Sequence, residues 1–146
     1  MKISRRIILS LSVAALSSAL MVPNVFAASN IMSAPDALSA VEKGEIILVD
    51  IRTRGEWKQT GLAAPALPIS MHEAGFIRKL TAALGGDRNR PVAIICAVGG
   101  RTAHMSGILK TAGFGNVLDV SEGMMGSSVG PGWLKRGLPV KHWKPE

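Results

Sequence analysis

Three short and almost wholly apolar runs punctuate the chain: Glu45-Ile-Ile-Leu-Val-Asp50, Val92-Ala-Ile-Ile-Cys96 and Asn116-Val-Leu-Asp-Val120. Runs of this length without polar alternation belong to strands buried on both faces, as in a parallel sheet covered by helices. Segments of helical periodicity separate them, and strands of about five residues alternating with helices of about ten give βαβ units. Few other architectures accommodate that order. Ligands in such sheets bind outside the carboxyl ends of the strands. The pattern therefore predicts one shared edge for the Asp50–Arg54 segment, the loop after Cys96 and the Ser121–Gly132 segment.

The intervening segments carry their own start and stop signals. Ser33-Ala-Pro-Asp36 reads as an N-cap with an acid three positions on, and Gly44 closes the helix that follows. Arg54 to Gln59 suggests a short helical turn stopped by Gly61. Leu67-Pro-Ile-Ser70 is a weaker strand, and its proline argues for an edge. His72 to Leu84 and Thr102 to Ala112 show helical periodicity, ended by Gly85-Gly86 and Gly113. No internal repeat or low-complexity tract is present.

Cys96 is the sole cysteine, and it stands where a strand runs into Ala97-Val-Gly-Gly-Arg-Thr102 and then a helix. Backbone N–H groups in a Gly-rich turn can converge on an anion, and the helix dipole adds partial positive charge. The same field favours a nucleophilic thiolate. A buried, inert core cysteine is the alternative. Gly99 and Gly100 allow the turn to fold back over the sulfur. Arg101 either faces the pocket or braces the loop, and the ligand-facing role is the one expected.

These residues carry a family resemblance. Leu48-Val-Asp-Ile-Arg-Thr-Arg-Gly-Glu-Trp57, Cys96-Ala-Val-Gly-Gly-Arg-Thr102 and Gly137-Leu-Pro-Val140, in this order and spacing, resemble the rhodanese domain of sulfurtransferases. The resemblance spans roughly Ser33 to Val140. It implies a rhodanese-like α/β fold, with a roughly five-stranded parallel sheet and helices on both faces. It also implies that Cys96 carries a sulfane sulfur as a persulfide, with the Ala97–Thr102 loop binding the substrate. The donor expected is small and anionic, thiosulfate-like or a persulfide. The acceptor is cyanide or a thiol, a protein thiol included.

Two other readings compete with an enzyme of this kind. Cysteine phosphatases of the same fold need a loop one residue longer to encircle a phosphate, whereas only Ala97 to Gly100 separate Cys96 from Arg101. A non-catalytic binding or regulatory module is the other, and retention of the cysteine counts against it. Three departures from the family stand out. Ala97 and Val98 make the loop wall apolar, and Gly61-Leu-Ala-Ala-Pro65 replaces a common Gly-His-Ile. The Gly126–Gly132 segment is longer than usual, which suggests a flap that narrows access together with Met124, Met125 and Trp133. Asp50, Arg52, Met124 and Trp133 are thus candidate rim residues, with an ion pair from Arg52 to Glu56 the expected use of that arginine. His72, His104 and His142 lack metal-ligand spacing, so no metal and no cofactor is expected. Trp57 and Trp143 read as packing residues.

The first residues are read apart from the fold. Lys2, Arg5 and Arg6 precede an apolar stretch from Ile7 to Val22, and Val25-Phe26-Ala27 suits a cleavage site. The stretch is shorter than the ~20 residues of a spanning helix. A signal peptide over residues 1–27 and a single domain over 28–146 are expected, with a periplasmic location and no membrane attachment after cleavage. A lone cysteine in an exported domain cannot form an internal disulfide. The formal charge of +7 falls to +4 once the leader is set aside, because the leader holds three of the 17 Lys and Arg and none of the ten acids. No basic run with interleaved aromatics is present, so nucleic-acid binding is not expected.

Overall fold

The protein is described by a computed structural model over residues 30–145, and the expected signal peptide lies outside the described residues. Four parallel strands form the central sheet: β1 (Ile47–Asp50), β3 (Leu67–Pro68), β4 (Val92–Ile95) and β5 (Val117–Asp119), in the order β3-β1-β4-β5. The non-sequential order places β1 and β4 at the centre, where their apolar sequences are covered on both sides. Register pairs Asp50 with Ile95 and Ile94 with Asp119, so the carboxyl ends of β1, β4 and β5 form one edge. The proline-bearing strand lies at the sheet's border, as Pro68 requires.

The resemblance implies roughly five strands, whereas the sheet has four. The remaining position, beside β5, is held by a single parallel bridge from Ile31 to Asp119. A separate antiparallel pair, β2 (Leu62–Ala63) with β6 (Val140–Lys141), is an addition that the sequence reading treated as turn and motif.

Alternate residues of the central strands enter two cores. Leu48, Ala93, Ile95 and Leu118 point into one, covered by α1 (Ala34–Glu42) and α5 (Gly132–Lys135). Val49, Val92, Ile94 and Val117 point into the other, covered by α3 (Phe76–Ala83) and α4 (Gly100–Thr111). This period of two with apolar residues on both faces is the physical reason the strands read as unbroken runs. In α1 the buried residues are Ala34, Ala37 and Ala40, small enough to bring the helix close to the sheet. The Ser33 hydroxyl accepts from the Asp36 N–H at 3.2 Å and starts that helix.

Helix α2 (Arg54–Thr60) opens with a capping box in which Thr53 and Glu56 satisfy each other's backbone N–H groups. Helix α3 is shorter than the periodicity suggests. Residues 71–75 form turns in which the Ser70 hydroxyl and carbonyl accept from His72 and Glu73, and Gly75 enters the helix at φ 79°. Helix α4 starts two residues earlier than expected, at Gly100. None of the helices among the described residues is long and apolar enough to cross a membrane.

Candidate active site

Strand β4 ends at Ile95 and delivers Cys96 to the carboxyl edge of the sheet. Residues after β5 run alongside and hold the loop by its backbone. The Met124 N–H donates to the Cys96 carbonyl and the Met125 N–H to the Ala97 carbonyl, both at 2.8 Å. The expected proximity of the Ser121–Gly132 segment to Cys96 is therefore built from main-chain hydrogen bonds.

Two glycines make that approach sterically feasible. Gly99 has φ +87°, and a Cβ there would stand 2.1 Å from the Ser121 carbonyl oxygen. Gly123 has φ +66°, and its Cβ would meet the Ala97 carbonyl oxygen at 2.4 Å. Each segment excludes a side chain from the other. The turn that results aims the Gly99 N–H at Cys96 Sγ, 3.2 Å away. The thiol in turn lies 3.8 Å from Thr102 Oγ1, to which it donates, and that hydroxyl donates to the Gly99 carbonyl at 2.8 Å. Helix α4 begins at the next residue, with its positive end beside the sulfur. An N–H donor and a helix N-terminus thus meet at one sulfur. Cys96 itself has no exposed surface.

Arg101 is engaged by a carboxylate. Its Nη1 and Nη2 donate to Glu56 Oε2 and Oε1 at 2.9 and 2.5 Å, tying α4 to α2. Hydrogen bonding from Arg101 holds the Glu56 carboxyl at about 2, well below the usual carboxylate range, against the opposing effect of its partial burial. Arg101 thus braces the loop by tying α4 to α2. Fork-to-fork geometry of this kind suits a planar guanidinium and a carboxylate.

The expected Arg52–Glu56 pair does not form. Arg52 Nε donates to both carboxylate oxygens of Asp50 at 3.0 Å, and Nη2 donates to Oδ2 at 2.7 Å. The remaining donors reach Thr60 Oγ1 and the Gly61 carbonyl, both at 2.8 Å. Asp50 and Arg52 are 0 % and 1 % exposed, so neither forms a pocket rim. They latch the end of β1 to the end of α2.

Met124 and Trp133 are also corrected as rim residues. Both are wholly buried in the core beneath α1, and the Trp133 indole donates to the Pro139 carbonyl at 2.9 Å. The apolar side chains that reach the surface in these loops are Val98, Met125 and Val129. The Gly126–Gly132 segment folds as a tight turn, with a bridge between Ser127 and Gly130 and Ser127 Oγ donating to the Ser121 carbonyl.

Glu122 was missed by sequence reasoning. It is 3 % exposed, and its carboxylate accepts from the Ala34 N–H at 2.6 Å, the Gly132 N–H at 2.9 Å and Arg136 Nε at 2.7 Å. It thereby fixes the start of α1 and both ends of the segment after β5. The available signal was an acid between a strand end and the Gly123, Gly126, Gly130 and Gly132 run. Glu56 was read, but with the wrong partner. Among the described residues, no three His, Cys, Asp or Glu side chains are grouped to hold a metal.

Known proteins share the family and fold of this chain. A family model described as the Rhodanese-like domain matches residues 33–128. Among solved structures, the polysulfide-sulfur transferase homodimer from Wolinella succinogenes is 26% identical with a TM-score of 0.56, over 76% of this chain and 77% of that one. The rhodanese-like domain from an Anabaena protein aligns with a TM-score of 0.63 at 19% identity, covering 79% of this chain and 80% of that chain. A rhodanese-like domain protein from Staphylococcus aureus aligns with a TM-score of 0.56 at 23% identity, over 76% and 97% of the two chains. None of the curated proteins compared with the chain matches it. With two thirds of its length matched by the family model and its fold shared with these structures, the chain belongs to the rhodanese-like domain family.

Proposed function

We propose that the protein is a sulfurtransferase that carries sulfur as a persulfide on Cys96. The observation that supports this best is the Gly99 N–H aimed at Cys96 Sγ, at the foot of a loop only four residues long before Arg101. In the first step the Cys96 thiolate attacks the outer sulfur of a donor such as thiosulfate. The new S–S bond forms as the donor's S–S bond breaks, the electron pair leaves with sulfite, and Cys96–S–S⁻ remains. In the second step a nucleophile such as cyanide or a thiolate takes the outer sulfur and returns the Cys96 thiolate. This is covalent catalysis in two displacements. Charge resides on sulfur throughout, where backbone donors of the loop and the start of α4 can meet it.

The engagement of Arg101 by Glu56 argues against a phosphatase, which would need that guanidinium free for a phosphate. One observation favours a second reading. Cys96 is wholly buried, so donor entry requires the Ala97–Gly100 loop to open, and a loop that never opens would leave a binding module. We further propose export to the periplasm, with residues 1–27 as the leader and a single domain thereafter.

Turnover separates these readings. Thiosulfate, or polysulfide measured above its spontaneous reaction with cyanide, should yield thiocyanate with the native protein and none above that uncatalysed background with Cys96→Ser, while a phosphate ester should remain intact. Absence of thiocyanate from every donor would remove the enzyme reading in favour of the module.

A further inference from the structure

Cys96 has no exposed surface, so a donor reaches its sulfur only past the Ala97–Gly100 loop. In that loop Val98 is the one side chain larger than a methyl group, and it is 58 % exposed. Met125 stands next to it, because the Met125 N–H donates to the Ala97 carbonyl at 2.8 Å, and its side chain is 54 % exposed. A large apolar side chain exposed by itself is ordinary. Two of them on adjoining loops at the entry to a buried sulfur form a surface that an apolar ligand would cover.

Charge along the same edge of the sheet is already committed. The segments that follow β1, β3, β4 and β5, residues 51–54, 69–75, 96–101 and 120–131, contain three permanent cations, Arg52, Arg54 and Arg101. Arg52 is paired with Asp50, Arg54 with Glu73 and Arg101 with Glu56. The loop after Cys96 and the segment after β5 hold one charged side chain between Ala97–Gly100 and 120–131, Glu122, which is buried and paired with Arg136. Thiosulfate is a dianion, and its sulfonate oxygens would arrive against Val98 and Met125 with no uncommitted arginine or lysine in these segments. Desolvating such a group against apolar surface is costly.

We propose that the preferred sulfur donor is a singly charged sulfane compound with an apolar organic body, such as an organic thiosulfonate, and that Val98 and Met125 select it over thiosulfate. This deepens the sulfurtransferase reading and rests on it. The single negative charge lies at the sulfane end, which approaches Cys96 and the N–H groups of the loop, while the organic body covers Val98 and Met125. The Cys96 thiolate attacks the outer sulfur of R–SO₂–S⁻. A new S–S bond forms on Cys96 as the donor's S–S bond breaks, the electron pair leaves with the sulfinate R–SO₂⁻, and Cys96–S–S⁻ remains. Cyanide or a thiolate then takes the outer sulfur as before.

Benzenethiosulfonate and thiosulfate, each with cyanide as acceptor and each corrected for uncatalysed thiocyanate, test it. The measured quantity is the ratio of kcat/KM for benzenethiosulfonate to that for thiosulfate, in the native protein and in variants. Because the two donors differ in intrinsic reactivity, the change of the ratio on substitution decides. Val98→Ser and Met125→Gln should each lower it about fivefold, by removing apolar surface that meets only the organic body. Val98→Lys should lower it about thirtyfold, by adding a cation for the sulfonate oxygens as well. Both positions are exposed, so the substitutions leave the core intact, and the ratio cancels any general damage to the loop. A ratio that stays within about twofold of native in all three variants, with both donors turned over, would overturn this selection and leave sulfur transfer standing. Turnover of neither donor by the native protein would overturn both.

Discussion

Gly99 and Gly123 face each other's neighbours across the Cys96 loop, with no room for a Cβ at either position. A side-chain carbon on Gly99 would meet the Ser121 carbonyl oxygen at 2.1 Å, and one on Gly123 would meet the Ala97 carbonyl oxygen at 2.4 Å. Both residues also adopt positive φ. The strand that delivers the sulfur and the segment that backs it are thereby held in main-chain contact, and the Gly99 N–H is aimed at Cys96 Sγ as a consequence.

Replacing Gly99 by alanine should therefore cost stability and geometry together. The left-handed conformation alone costs a non-glycine residue about 1–2 kcal/mol, and the contact with Ser121 adds to it. Urea denaturation should show a loss of at least about 2 kcal/mol. At a denaturant-free temperature where the variant is still folded, Cys96 should react with iodoacetamide at an altered rate. Native stability and native thiol reactivity together would show that the contact does not hold the loop.

Asp50 and Arg52 make a buried pair whose removal by halves should be severe. Asp50→Ala leaves a guanidinium wholly buried without its carboxylate, a change that costs about 3–5 kcal/mol. Replacing both residues with apolar ones, Asp50→Leu with Arg52→Met, should restore much of the loss. Chemical denaturation of the three variants measures this directly. Equal stability of Asp50→Ala and the native protein would show the pair to be idle.

The Arg101–Glu56 pair gives a signed pH dependence. The folded carboxyl is held at about 2, below its ordinary 4.5, chiefly by the Arg101 hydrogen bonds. A depressed folded value means the stabilisation is complete above the unfolded value and is lost as pH falls from about 4.5 towards 2. The thermal midpoint of Glu56→Gln should lie below that of the native protein at pH 6, and the gap should narrow as pH falls below about 4.5 and close only below about 2. A difference that persists unchanged at low pH would show that the ion pair does not carry the effect of the substitution.

Glu122 supports three donors at once, two of them backbone N–H groups in different elements. Glu122→Leu leaves those donors without an acceptor and should cost about 2–4 kcal/mol. Hydrogen exchange should accelerate at the Ala34 and Gly132 amides. Unchanged protection at both would remove Glu122 as the tie between them.

The sheet was legible in the sequence because β1, β4 and β5 are buried on both faces, and only apolar runs survive there. The Cys96 loop was legible for a related reason: Gly99 tolerates no other residue at its φ, so the glycine shows itself in the sequence. Partnerships between charges were not. Asp50, Arg52, Glu56 and Arg101 lie close along the chain or along one edge, and sequence separation favours pairing Arg52 with Glu56 four residues on. The fold instead turns Arg52 inward onto Asp50, since burial at the end of β1 demands a neutralised carboxylate there. Glu56 is left facing α4, where Arg101 meets it. Likewise, neither periodicity nor motif distinguished Met124, which is in the core, from Met125, which is at the surface. Their difference arises from the backbone hydrogen bonds that fix which way each faces.

A sulfur atom carried on Cys96 would be read out by intact-protein and peptide mass spectrometry after exposure to thiosulfate or polysulfide. The mass of one added sulfur should appear on the Cys96 peptide, be lost again on treatment with cyanide and be absent from Cys96→Ser. A Cys96 peptide that gains no sulfur from any of these donors, in protein whose thiol alkylates once unfolded, would contradict it.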